Sequence, residues 1–417
     1  MKKDIDFLME EQDIDALWVT GGLQNNPDMV YFTGIHHVNQ ADLFKIRGRD
    51  PILHYFVDME REEATRTGLE TIFYFSNHPL KEYLQKNNGE LTASIAAKIK
   101  ESLEGMGLAS SRIAISGKTD LSVSYALIEQ LKRILPKIEF VSFFKDSVIS
   151  QARMTKNSQE IEHIRKIGKI TIEVVERVRR FLQEQKIANG NLIFADGAPI
   201  RVKDVKNRIR FWLAELGADN PGETIFSIGR DGGIPHSCGN PDDVIGLGKP
   251  IVFDIFPCEA GGGYFYDFTR TWCLGYASDE VILLHQQVLG VHHRIIDELE
   301  VDQPFKMFQE RTCQLFADMG HKTVSEKSST TEGYIHSIGH GLGLNVHEKP
   351  LSGFTAAPDD ILIPGVVFTI EPGLYYPEKD MGVRIEDTVY LNENGQFEIL
   401  ADYPYDLVIP VGANHES

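Results

Sequence analysis

The pattern of apolar and polar positions changes character once along the chain. Over the first 150 residues short strand-like runs alternate with helical spacing. Ala16-Leu17-Trp18-Val19-Thr20 reads as a strand that ends at Gly21-Gly22. Met29–Thr33 reads as a second strand and Pro51–Val57 as a third. Ala93–Met106 carries Ile95, Ile99 and Leu103 at helical spacing. Ile113–Ile115 then predicts a strand and Tyr125–Leu135 a helix. This alternation predicts an α/β layer with mixed strands.

From about residue 150 the helices lengthen. Asn157-Ser158 is an N-cap signal, with Glu160 placed for a capping box. The helix that follows carries Ile161, Ile164, Ile167, Val174, Val178 and Phe181 on one stripe. Three more helices are predicted. One carries Val202, Val205, Ile209, Trp212, Leu213 and Leu216; one opens at Ser278-Asp279-Glu280; one starts at Pro304 with Phe308, Leu315 and Met319 inward. Strand runs lie between and after them: Ile251–Phe256, Tyr264–Cys273, Val366–Glu371 and Val383–Leu391. Helices beside paired strands predict an α+β domain over 151–417, behind an α/β domain over 1–150, with the boundary within 145–158.

Composition narrows the class. The chain has 417 residues, 42% hydrophobic and 25% charged, an ordinary globular balance that excludes collagen, disorder and a disulfide miniprotein. The net charge of −19 argues against a nucleic-acid binder, which needs clustered Lys and Arg to neutralise phosphates, and against docking on an anionic membrane. The four cysteines form no Cys-x-x-Cys pair and predict reduced thiols in a cytoplasmic protein. The N-terminus has no apolar run of a signal peptide, and no stretch approaches a membrane span.

The chemistry lies where acids and histidines interrupt apolar strands. Asp254 stands in Ile251–Phe256, among large apolar residues. A buried, unpaired carboxylate is costly, so it calls for an Arg, hydrogen bonds or a metal. Asp267 repeats the oddity in the next run, and Gly261-Gly262-Gly263 between them predicts a turn that pairs the strands antiparallel and brings the two acids close. Close carboxylates repel unless one is protonated or a cation lies between them. Glu371 ends the apolar run Val366–Ile370, and Arg384, Glu386 and Thr388 alternate onto one face of a strand. His340 sits between glycines that let the backbone pass close to whatever the imidazole touches. Singly, each acid would be expected to pair with Arg or Lys. Together, four carboxylates and an imidazole make an oxygen-rich ligand set that suits a pair of Mn, Co or Zn ions better than one zinc.

At these residues the sequence resembles a known family. Asp254…Asp267-Phe268-Thr269-Arg270-Thr271, Gly339-His340-Gly341-Leu342-Gly343…His347, Ile370-Glu371-Pro372-Gly373 and Gly382-Val383-Arg384-Ile385-Glu386-Asp387 occur in the order seen in the dinuclear metallopeptidases of the pita-bread fold (family M24). Asn26–Gly34 in the first domain is similar to the creatinase-type N-terminal domain, which favours the Xaa-Pro aminopeptidase and Xaa-Pro dipeptidase (prolidase) branch. The resemblance implies a pita-bread catalytic domain holding two divalent ions, manganese first, with cobalt or zinc as alternatives. Asp254 would chelate the first metal, Asp267 and Glu386 would bridge both, and His340 and Glu371 would complete the second. Glu371 would also act as general base for a metal-bridging hydroxide. His236 and His347 match the family's substrate-binding histidines, and Arg384 would orient the bridging carboxylates. His336, His292 and His293 match no functional position, and Cys238 is read as an inert thiol.

There are two departures from the family pattern. The aspartates are 13 residues apart where the family usually has about eleven, which predicts a longer hairpin with the ligands kept. Asp254 is followed by Ile255-Phe256-Pro257 rather than small residues, which touches substrate preference more than metal binding. The resemblance implies hydrolysis of the Xaa-Pro bond in dipeptides or at the start of longer peptides, by a homodimer. A metal-free C–N hydrolase like creatinase and a non-catalytic binding protein on the same fold are the competing readings. The first is disfavoured because all five ligands stand, and the second by the same ligands together with the acidic balance.

Overall fold

The computed structural model describes residues 4–412. The chain forms two compact units, Met1–Arg153 with Gly261–Gly263, and Met154–Ala260 with Tyr264–Ser417.

The first unit is built on a six-stranded mixed sheet. Its strand Ala16–Gly21 lies antiparallel to Ala41–Ile46 and parallel to Arg112–Lys118. The short strands Glu70–Phe73 and Glu139–Val141 carried no prediction, and two further elements differ from the sequence expectation in an instructive way. Met29–Thr33 belongs to a helix, Pro27–Thr33, with Asn26 at its N-cap and Pro27 in its first turn. A short apolar run does not distinguish helix from strand, and here Pro27 decides, because its fixed φ suits the first helical turn. The strand Ala41–Ile46 carried no clean alternation, because Asp42 and Lys45 are buried along with its apolar residues. Asp42 is satisfied there by the Trp18 indole N–H at 2.9 Å and the Tyr74 hydroxyl at 2.8 Å.

In the second unit the helix Ser158–Gln183 starts at a capping box. The Asn157 side chain accepts from Glu160 N, and the Glu160 side chain accepts from Asn157 N at 2.7 Å. Its stripe packs with Val205 and Ile209 of the helix Val202–Glu215 in one core cluster. The helices Asp279–Glu298 and Phe305–Asp318 serve a second cluster. Phe308 is buried there, but Met319 follows the helix end and is exposed, contrary to its predicted inward position.

Two sheets and a hairpin position the acids. The strands Ile225–Ile228, Pro250–Ile255, Phe268–Leu274 and Val408–Ile409 form one sheet. Glu348–Leu351, His340–Gly341, Val367–Ile370, Asp387–Leu391 and Phe397–Ile399 form the other. Gly373–Tyr376 pairs with Met381–Arg384 as a separate hairpin. The expected strand Val383–Leu391 is therefore two strands. The break falls at Ile385-Glu386, where Glu386 N donates to Thr269 O at 3.1 Å and draws the chain onto the first sheet.

The aspartate-bearing strands pair antiparallel, with Asp254 opposite Thr269. Their register continues beyond the regular ladder: Tyr266 N donates to Pro257 O, Cys258 bridges Phe265, and Glu259 N donates to Tyr264 O. The 13-residue separation is thus taken up in a long, regular hairpin closed by 260–263, with both acids on its paired part. Among the described residues no helix is long and apolar enough to cross a membrane.

Candidate metal centre

Each predicted acid enters the site from a strand end. Asp254 and Asp267 come from the two arms of the hairpin, Glu371 follows the strand Val367–Ile370, and Glu386 sits at the break before Asp387–Leu391. His340 comes from the short strand His340–Gly341, where Gly339 and Gly341 leave no room for a Cβ. One built at Gly339 would lie 1.9 Å from Thr369 O, and one at Gly341 2.0 Å from Lys349 O. All eight residues singled out from the sequence line one cavity of about 700 Å³: Asp254, Asp267, His340, Glu371 and Glu386, with His236, His347 and Arg384.

Ligand atoms of Asp267, His340 and Glu386 all lie within 4.8 Å of one another. His340 Nε2 is 3.4 Å from Glu371 Oε1 and 3.8 Å from Asp267 Oδ2. His340 Nδ1 lies 3.2 Å from Gly341 O, so this nitrogen carries the proton and Nε2 keeps its lone pair. Burial, with His347 alongside at a ring-centroid distance of 4.2 Å, pushes the imidazolium down to about 3, so the ring is neutral.

The carboxylates behave in the opposite sense. Burial, followed by the charges of Asp254 and Glu371, raises Asp267 well above the usual range. Burial and then Asp267, Glu371 and Asp254 do the same to Glu386. Burial likewise pushes Glu371 up to about 8. The hydrogen bonds to these acids are few. Thr269 Oγ1 donates to Glu386 Oε2 at 2.7 Å, Phe268 N to Asp267 Oδ1 at 3.0 Å, and Thr369 Oγ1 to Glu371 Oε1 at 3.4 Å. Asp254 Oδ2 accepts from Arg384, while its Oδ1 is buried with no hydrogen-bond partner. Four clustered carboxylates against the single guanidinium of Arg384, an orphaned carboxylate oxygen and a neutral imidazole with a free lone pair fit divalent cations.

That charge excess has a measurable consequence. Between about 4.5, the ordinary Glu value, and about 8, folded Glu371 holds a proton that the unfolded chain has lost. A state that binds more protons loses stability as pH rises through that window. Stripped of divalent cations, the protein should therefore melt at a lower temperature at pH 8 than at pH 5, as far as this site decides it. Added manganese should raise the melting temperature more at pH 8 than at pH 5. An equal gain at both pH values would contradict this account.

Two further groups reach the site that sequence reasoning left aside. His336 lines the cavity, with Nδ1 donating to Ser337 O at 2.8 Å and Nε2 accepting from the Tyr375 hydroxyl at 2.9 Å. Tyr375 in turn accepts from Arg384 Nη1 at 2.6 Å, so a hydrogen-bonded chain runs from Asp254 through Arg384 and Tyr375 to His336. The place of His336 four residues before His340 was the one available hint. Arg270 is the other group. Fully buried, it donates to Asp387 Oδ1, Glu386 O and Tyr403 O at 2.9 Å, to Thr269 O at 3.0 Å and to Pro404 O at 3.1 Å. It thereby clamps the backbone that carries Glu386. His292 is buried, with Nε2 3.2 Å from Asp387 Oδ2. Cys238 lines the cavity, and none of the four cysteines is in a disulfide.

Comparison with known proteins agrees with this construction. The sequence profile described as metallopeptidase family M24 matches residues 162–393, and that of the Creatinase/Prolidase N-terminal domain matches residues 3–155. An Xaa-Pro dipeptidase from Pyrococcus horikoshii is 26% identical over 397 residues, 95% of each chain. A putative dipeptidase from Bacillus subtilis, YkvY, is 28% identical over 395 residues, covering 93% of this chain and 94% of its own. Among solved structures, a dipeptidase from Pyrococcus horikoshii OT3 superposes with a TM-score of 0.75 at 22% identity, covering 97% of this chain and 99% of that one. Fold and site together define a metal-dependent peptidase with the pita-bread fold behind a creatinase-type domain. The chain belongs to metallopeptidase family M24.

Proposed function

We propose that the protein is an Xaa-Pro dipeptidase that cleaves the bond before proline in dipeptides. The observation that carries the reading is the convergence of five potential ligands, two histidines and an arginine in a single cavity. The relative named Xaa-Pro dipeptidase, alike over 95% of both chains, supports the choice of dipeptides.

In this reading Asp254, Asp267, His340, Glu371 and Glu386 hold two divalent ions, with manganese as our proposal. When bound, the ions supply Lewis acidity, polarising the scissile carbonyl and lowering the pKa of water at the site. The chain's own groups do the rest. Glu371 takes the proton of the attacking water and passes it to the proline nitrogen as that nitrogen leaves. His236 and His347 donate hydrogen bonds to the amide and to the oxygen that gains charge as water adds. Arg384 holds Asp254 while bracing Tyr375 and, at 3.3 Å, Thr269 Oγ1. A homodimer and a cytoplasmic setting complete the proposal, and four cysteines outside any disulfide are in keeping with the latter.

The test is hydrolysis of Ala-Pro beside Ala-Pro-Ala after manganese reconstitution. Release of alanine from Ala-Pro with little turnover of the tripeptide is expected. Preference for the tripeptide would make the protein an aminopeptidase, and inertness toward both would remove the Xaa-Pro reading.

A further inference from the structure

One buried ion pair beside the cavity takes no part in the chemistry described. Lys156 Nζ lies 3.4 Å from Glu348 Oε2, and the two side chains are only 1% and 5% exposed. Glu348 directly follows His347 and opens the strand Glu348–Leu351. Its other oxygen, Oε1, accepts from Asn345 N at 2.8 Å. The carboxylate thus grips the backbone two residues before His347, while its own Cα stands one residue after it. The loop closes tightly around the pair. A Cβ at residue 343 would lie 2.6 Å from Glu348 Oε2 and 2.9 Å from Lys156 Cε, so glycine is what lets the chain pass.

Lys156 is itself held from both sides. Its N–H donates to Gly365 O at 2.7 Å, Thr155 bridges Val366, and Asn157 caps the helix Ser158–Gln183. Its ammonium also donates to Met154 O at 3.2 Å. The cation is a fixed point outside the loop, and Glu348 carries that position to the residue beside it. Stability alone does not account for such a pair. Two charges taken out of water lose about as much solvation as their attraction returns, and apolar residues of similar volume often serve as well. What the pair adds is direction, because a carboxylate held between an ammonium and a backbone N–H has one orientation.

We infer that Lys156 is a positioning residue for the reaction: through Glu348 it holds the loop 343–347 so that the His347 imidazole stays aimed at the reacting amide. The inference rests on the Xaa-Pro reading, in which His347 touches substrate.

The test measures kcat and KM for Ala-Pro, metal content and the denaturant midpoint in the manganese-loaded full chain. The variants are Lys156→Met and the double change Lys156→Met with Glu348→Met, each with and without His347→Ala. Lys156→Met is expected to lower kcat by about tenfold to a hundredfold, the scale of a group misplaced by about 1 Å, with little change in KM or metal content. The double apolar variant should recover most of the denaturant midpoint and still keep the low kcat, since the charges are gone and so is the aim. In the His347→Ala background neither change should lower kcat further. Should Lys156→Met fail to fold, the double apolar variant still decides the matter. A kcat that returns along with stability, an equal loss in both backgrounds, or metal lost together with activity overturns the inference while leaving the Xaa-Pro reading intact. A metal-loaded parent that cleaves no Xaa-Pro dipeptide overturns both.

Discussion

Glu371→Gln is expected to lower turnover of Ala-Pro by about a thousandfold, within the range that general acid–base groups contribute, while the protein stays folded. Glutamine keeps the shape of the side chain but cannot carry a proton from water to the leaving nitrogen. The local backbone is held by Glu371 N donating to Ile338 O at 2.8 Å, a bond that the substitution leaves alone. The side chain gives up little else, because its hydrogen bond from Thr369 is long, at 3.4 Å. The change also removes one of four mutually repelling carboxylates, so the cation-stripped variant should melt no lower than the stripped parent at pH 8. Steady-state kinetics with manganese, metal content and thermal melting measure the three effects. Retained activity would sink the general-base role. Lost activity accompanied by lost metal would reduce Glu371 to a ligand.

Arg270→Met should destabilise the protein by about 3–5 kcal/mol, the usual cost of stripping one partner from a buried ion pair. All five N–H groups of Arg270 are engaged, and its guanidinium lies 4.3 Å from the ring centroids of both Phe268 and Tyr405. Asp387, fully buried, would be left with only the Tyr405 hydroxyl at 2.7 Å and the His292 ring. Although burial opposes its charge, Arg270 and His292 keep Asp387 below the usual carboxylate range. Methionine fills comparable volume, so the loss reads the charge rather than a cavity. The double change Arg270→Met with Asp387→Asn should recover part of the stability in denaturant unfolding. A double variant no more stable than the single one would show that the backbone hydrogen bonds, and not the ion pair, dominate.

The site was more legible in the sequence than the fold around it, and the reasons are physical. A carboxylate inside Ile251–Phe256 is conspicuous because burying charge is expensive, so each strand bearing a candidate acid carried its own flag. Helices with side-chain caps, such as Asn157 with Glu160, were equally plain. The segments that escaped had no local signature. Met29–Thr33 is an apolar run whose helical state depends on Pro27. The strand Ala41–Ile46 hides behind Asp42 and Lys45, whose partners Trp18, Tyr74 and Asp6 lie far off in sequence. The break at Ile385-Glu386 and the clamp from Arg270 are likewise long-range, joining residues more than a hundred positions apart. Periodicity speaks for a residue's own segment, and these features belong to pairs of segments.

The adjacent acids Glu386 and Asp387 divide two kinds of cation between them. One side of the dipeptide faces the cluster suited to exchangeable ions, and the other faces a guanidinium attached to the chain. The permanent cation is present from synthesis, so the framework can close around its own counter-charge before any metal arrives. Metal uptake then becomes a late loading step onto a finished scaffold.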